Sequence, residues 1–154
     1  MGFYNEVDED NADRFSPSND DVLVHPLYDD ATFEYAFALI KLGGSSSQTV
    51  PRLNNDNTIP SSDTTLDLVG RGTDREGGFN LQNRLNEAEL PFMDSDICQL
   101  ARSTGGWSYA GVIPESTFCA GSVDTSGCES DWGSPLVLKG SDPRNDVIVG
   151  VMSW

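Results

Sequence analysis

Short apolar runs broken by turn residues dominate this chain. Thr65-Leu66-Asp67-Leu68-Val69-Gly70-Arg71-Gly72 alternates apolar and polar positions and ends in a glycine-flanked turn, which predicts a strand followed by a turn. Asp21-Val22-Leu23-Val24-His25-Pro26 predicts a short strand stopped by proline. Ser134 to Lys139 and Val147 to Trp154 read as paired strands, with residues 140–146 as their hairpin loop. Val50-Pro51-Arg52-Leu53 reads as a strand and residues 54–63 as a polar loop. Phe33 to Leu42 fits a buried strand or a short helix, and Gly43-Gly44-Ser45 ends it either way. Leu81 to Pro91 is equally ambiguous by periodicity, and its propensities alone allow a helix. Only Asp94 to Arg102 reads clearly as helical, a short turn whose first N–H groups Asp94 and Asp96 can accept. The pattern is that of an all-β, loop-rich domain.

Size and charge narrow the choices. The 154 residues are enough for one domain with a core. Acidic residues number 25 against 9 basic ones, for a formal charge of -16. Such a surface repels phosphates and anionic lipids, so neither nucleic acid nor membrane is an expected partner. No apolar run reaches the ~20 residues a membrane helix needs. Met1-Gly2-Phe3-Tyr4-Asn5-Glu6 lacks the basic start and apolar core of a signal peptide. Residues 1–20 are acidic and poor in apolar side chains, and read as a flexible lead-in to a domain over 21–154. The carboxylates of Asp8, Glu9, Asp10 and Asp13 would suit calcium, but their spacing fits no EF-hand loop, so no metal and no cofactor are expected. Cys98, Cys119 and Cys128 make an odd set, which leaves one thiol free or bonded outside the chain.

Five motifs then fall in a recognisable order. They are Ala38-Leu39-Ile40-Lys41-Leu42, Gly70-Arg71-Gly72, Thr117-Phe118-Cys119-Ala120-Gly121, Cys128-Glu129-Ser130-Asp131-Trp132-Gly133-Ser134-Pro135-Leu136-Val137, and Gly150-Val151-Met152-Ser153-Trp154. Together they resemble the trypsin-like serine proteases, whose nucleophile loop reads Cys-Gln-Gly-Asp-Ser-Gly-Gly-Pro-Leu-Val. The resemblance runs from about residue 20 to the last residue, Trp154. It implies a two-barrel all-β fold, incomplete at both ends. It also implies that Leu81 to Pro91 is a strand.

The resemblance further implies a Cys98–Cys119 disulfide, worth roughly 3 kcal/mol by chain entropy, and an unpaired thiol at Cys128. It implies an extracellular setting, although the first residues carry no export signal. Most of the expected catalytic parts are changed. Trp132 stands where the family has its nucleophilic serine, and an indole has no oxygen to attack a carbonyl. Ala36 falls where an aspartate orients the catalytic histidine, and a methyl group cannot accept the imidazole N–H. No segment matches the Ala-Ala-His-Cys run. His25, the only histidine, lies in a Val-His-Pro turn instead.

Ser130 takes a glycine position of the oxyanion loop. Asp131 is the residue that receives a freed amino terminus in the family. Without that partner it should be solvent-accessible, protonated or bound to another cation. Ser126, Ser153 and Trp154 fall on the specificity pocket, whose mouth Trp132 is placed to fill. Met152, Phe118 and Leu136 are core, and the tyrosines, Tyr109 among them, show no stacking pattern.

The reading that follows is a catalytically inactive homologue with a protein or peptide ligand. Trp132 would then be either a binding anchor or a residue packed wherever it fits. Two alternatives stand beside it. One is a serine endopeptidase, as the family name implies. The other is a chain without independent function, whose open sheet edges invite aggregation.

Overall fold

Strand β4 (Thr65–Gly70) is the centre of the molecule, because alternate side chains along it are buried on opposite faces. The computed structural model describes residues 13–154 apart from 76, 79 and 104. Leu66, at 0% exposure, and Leu68 face the core. On one side β4 pairs antiparallel with β5 (Asn86–Met93), which sets Leu66 opposite Leu90 and Leu68 opposite Ala88. On the other side it pairs antiparallel with β7 (Pro135–Leu138), which sets Leu68 opposite Leu136. Leu66, Leu68, Leu90 and Leu136 form the buried cluster, and Phe118, Val149 and Met152 pack against it. Phe92 and Phe118 add a tilted aromatic pair at 5.7 Å.

The rest of the sheet grows outward from that centre. β3 (Arg52–Leu53) runs parallel to β8 (Val147–Val151), and β6 (Cys119–Ala120) pairs with β5. The order is β3-β8-β7-β4-β5-β6. A register shift between Leu136 and Val137 bends β7 against β8. The short helix α1 (Ser95–Leu100) is tied to β6 by the Cys98–Cys119 disulfide, with Cα atoms 6.1 Å apart. The fold is therefore all-β, with little helix among the described residues.

A separate two-stranded sheet joins β1 (Val22–Val24) to β2 (Ala38–Ile40). Val22 faces Ile40 and Leu23 faces Leu39, yet all six residues are exposed. Two strands cannot bury both of their faces, and such a pair alone is marginal in water. A hydrogen bond from Tyr35 N–H to Ser116 Oγ, at 3.2 Å, ties its connecting loop to the loop that leads into β6.

Several elements differ in detail from the sequence reading. Of Leu81 to Pro91, only the part from Asn86 onward is strand. Residues 81–85 stay outside it, and Gln82 is occupied by the 71–72 turn through its N–H and C=O. Asp94 does precede α1, but its side chain makes no capping bond, and its backbone carbonyl accepts Cys98 N–H instead. The described part of the acidic lead-in is anchored: Asp13 accepts from Ser46 Oγ at 2.6 Å and Ser47 N–H at 3.1 Å. Those bonds, Ser46 first, hold its carboxyl below the usual range. The cluster Asp8, Glu9 and Asp10 lies outside the described residues.

The outer face of β4 carries Asp67, a buried carboxylate whose Oδ1 has no hydrogen-bond donor among the described residues. Lys139 Nζ approaches it at 3.5 Å and also pairs with Glu87. At that distance Lys139 acts by charge and by the stem that covers the site. Lys139→Met should keep the cover and remove the charge. Because Lys139 is half exposed, the expected loss is about 1–2 kcal/mol, read as a shift in the urea midpoint at constant slope. An unchanged midpoint would show that water already supports Asp67.

Candidate functional site

Residues 121–134 connect β6 to β7, and one carboxylate sets the shape of the part from Ser126 onward. Asp131 is 8% exposed and points inward. It accepts Gly72 N–H at 2.7 Å through Oδ1 and Cys128 N–H at 3.2 Å through Oδ2. Of the alternatives expected for Asp131, solvent accessibility is therefore corrected, since the side chain is buried. Two backbone donors supply the hydrogen bonds that a buried carboxyl group needs.

Glycine is required on the facing turn. A Cβ built at Gly70 would lie 2.1 Å from Asp131 Oδ1, and one at Gly72 would lie 2.4 Å from its carboxyl carbon. The Gly-x-Gly turn after β4 therefore exists to let this carboxylate in.

Further bonds pin the loop. Thr73 N–H donates to Glu129 O at 3.0 Å, Gly133 N–H to Met152 O at 2.7 Å, and Met152 N–H to Ser134 O at 2.8 Å. Glu129 accepts Gly77 N–H at 3.1 Å and lies 3.1 Å from Cys128 Sγ. The Cys128 thiol and then the Gly77 amide hold its carboxyl below the ordinary value. Cys128 carries a free thiol, half-buried beside Thr73 Oγ1.

At the crest of this pinned loop the chain presents Ser130, Trp132 and Gly133. Ser130 has φ 70° and Gly133 has φ 80°. Serine thus holds a left-handed conformation that glycine adopts without penalty, at a cost of roughly 1–2 kcal/mol. Trp132 is 64% exposed.

The other sequence-derived residues are spread around this loop. Ser126 is exposed and follows the turn in which Ser122 N–H donates to Thr125 O. Ser153 is half-buried beside Met152. Ala36 is half-buried between Tyr35 and Phe37 and offers no polar side-chain atom. His25 is committed elsewhere. Its ring stacks on Tyr35 at 4.8 Å, leans on Phe37 at 4.7 Å, and its Nδ1 accepts Leu27 N–H at 3.2 Å. The lone histidine is thus a turn residue, as its place before proline indicates.

A cleft of about 450 Å³ lies beside Trp154, walled by Ala31, Thr32, Phe33, Gly111 and Val112. Trp154 also meets Tyr109, with ring centroids 5.9 Å apart, so Tyr109 does belong to an aromatic cluster. Phe33 and Tyr35 have φ of 59° and 51°, an uncommon conformation for aromatic residues that marks the loop as constrained. The sequence gives no local sign of this cleft, because its walls come from three segments far apart in the chain.

Comparison with known proteins agrees with this geometry. The family described as Trypsin matches residues 4–154. Mannan-binding lectin serine protease 1 of Rattus norvegicus is 30% identical over 141 residues, covering 86% of this chain and 19% of that protein. Serine proteinase stubble of Drosophila melanogaster is 32% identical over 140 residues, covering 86% of this chain and 17% of that protein. Trypsin of Simulium vittatum is 27% identical over 139 residues, covering 86% of this chain and 51% of that protein. The chain thus spans about a fifth of the first two relatives and half of the third. With its sheet order, its disulfide and its latched Ser126–Pro135 loop, this chain belongs to the trypsin-like serine protease family.

Proposed function

We infer that this chain is a trypsin-family domain that has lost peptide hydrolysis and binds an extended protein or peptide segment. The observation that carries this reading is Trp132, which sits on an intact, latched loop at the position of the family's nucleophilic serine and is 64% exposed. A decayed loop would have no reason to keep Gly70, Gly72 and Asp131 in mutual fit. The scaffold is kept while the group that would attack a carbonyl is replaced. Ala36 adds the loss of the carboxylate that would orient a histidine. The open cleft at Trp154 supplies a binding surface of ordinary ligand-site size. Exposed Trp132 and Trp107 add aromatic contact area of the kind concentrated at protein interfaces. The Cys98–Cys119 bridge favours an oxidising, extracellular setting.

The test is a peptide array probed with the purified chain and with Trp154→Ala. Selective binding that falls about tenfold or more in the variant is the expected result, since a central aromatic anchor is commonly worth over 2 kcal/mol. No binding to any peptide, or binding indifferent to Trp154, would remove the reading.

A further inference from the structure

We propose that the open edge of β2 (Ala38–Ile40) is a docking site for a strand of another protein, an extended run of alternating apolar residues with basic ends. The site shares no residue with the cleft beside Trp154 and does not rest on the reading of that cleft.

The hydrogen-bond register shows which edge is open. Lys41 N–H donates to Asp21 O and His25 N–H to Phe37 O, so the odd-numbered residues of β1 and β2 bond across the pair. The even-numbered residues turn their N–H and C=O outward: Val22 and Val24 on β1, Ala38 and Ile40 on β2. On β1 that edge is partly blocked. Val22 N–H already donates to Asn19 O, and Pro26 has no N–H to offer. On β2 no other strand among the described residues meets the outward groups. Ala38 and Ile40 therefore present their donors and acceptors at the spacing at which a third strand adds.

The side chains fit the same occupant. Leu23, His25, Phe37 and Leu39 share one face and, with Val24 and Pro26 beside them, line a hollow of about 210 Å³. Leu23 and Leu39 are each 67% exposed, and Val22 and Ile40 are exposed on the opposite face. An added strand with apolar residues at alternate positions would cover these rows while its backbone bonds to β2. Charge decides what kind of strand. Residues 15–40 contain Asp20, Asp21, Asp29, Asp30 and Glu34 and no Lys or Arg, and the whole chain carries a formal charge of -16. That field draws in a basic segment and opposes a second copy of this chain.

The test is fluorescence anisotropy of the labelled peptide acetyl-Lys-Val-Thr-Val-Thr-Val-Lys-amide with the full chain at low salt. The same peptide N-methylated at its three central amides keeps the side chains but cannot bond to a strand edge. It is expected to bind about tenfold more weakly or less. A version with glutamate in place of both lysines should also lose about tenfold, and the gap should close as salt rises. Ala38→Pro removes one outward donor, sets a ring on the edge and takes away no apolar surface. It should weaken the lysine peptide about tenfold with the melting temperature unchanged. Trp154→Ala should leave that affinity as it is.

Equal binding of the methylated and unmethylated peptides would overturn the proposal, and so would failure of the lysine peptide to bind. If Ala38→Pro does not fold, the methylated peptide on the unaltered chain still decides. A loss in Trp154→Ala as large as in Ala38→Pro would place the peptide in the other cleft and overturn the assignment to β2. Sedimentation of the chain as a dimer that Ala38→Pro dissolves would give the edge to a second copy and overturn it as well.

Discussion

Replacing Asp131 by alanine is expected to cost about 3 kcal/mol of folding stability and to lower the melting temperature by roughly 10 °C. Two backbone donors, Gly72 N–H and Cys128 N–H, lose their acceptor at once. A buried donor without a partner costs about 1–3 kcal/mol, and a bond to an ionised acceptor lies at the upper end. Water cannot easily repair the loss, because Gly70 and Gly72 are packed around the carboxylate. Asp131→Asn should lose about half as much, since its amide oxygen can still satisfy one donor. Because Trp132 follows Asp131, its fluorescence should report the loosening before global unfolding. A loss below about 1 kcal/mol in the alanine variant would mean that the loop is held by its backbone bonds to Met152 and Thr73 instead.

Removing the disulfide should have an effect of similar size. Cys98 is buried, and its bond to Cys119 closes a loop with a sequence separation of 21. The double variant Cys98→Ser/Cys119→Ser is expected to lose roughly 3 kcal/mol from loop-closure entropy. It also places a hydroxyl in the buried site of Cys98, which adds a desolvation cost. The effect should concentrate on α1 and the chain up to β6, which would exchange amide hydrogens faster than β4 does. Cys128→Ser provides the contrast. It is half-buried and forms no disulfide, so its change should stay within about 1 kcal/mol. Equal losses in the two variants would contradict a special role for the Cys98–Cys119 bond.

The two halves of the molecule differed in how far their sequence revealed them. β4 was legible because Leu66 and Leu68 alternate with polar neighbours and are flanked by a turn. The pairing of β7 with β8 was legible from two apolar runs around a polar loop. The conflict over Leu81 to Pro91 resolved as strand only from Asn86 onward, where β4 supplies a partner; propensity carries no knowledge of that partner. β1 reads as a strand from the sequence, while the run that holds β2 fits a buried strand or a short helix, and neither shows that Leu23 and Leu39 remain exposed, since burial depends on what covers the sheet.

At the site, Trp132 and Ala36 draw attention only through the likeness of their motifs to those of the family. The partners of Asp131 could not, because Gly72 lies 59 positions away and contributes a backbone N–H that every residue but proline carries. The Tyr109–Trp154 contact and the cleft were hidden for the same reason: they exist only once three distant segments have folded together.

The most direct measurement is reaction of the purified chain with a fluorophosphonate that labels serine-protease nucleophiles, followed by intact-mass analysis. The chain should gain no mass under conditions that label active trypsin completely. Trp132→Ser should gain none either, because His25 is held against Tyr35 and Phe37 and Ala36 offers no carboxylate. A stoichiometric adduct on the unaltered chain would mean that another residue serves as an activated nucleophile, and the domain would have to be regarded as an enzyme.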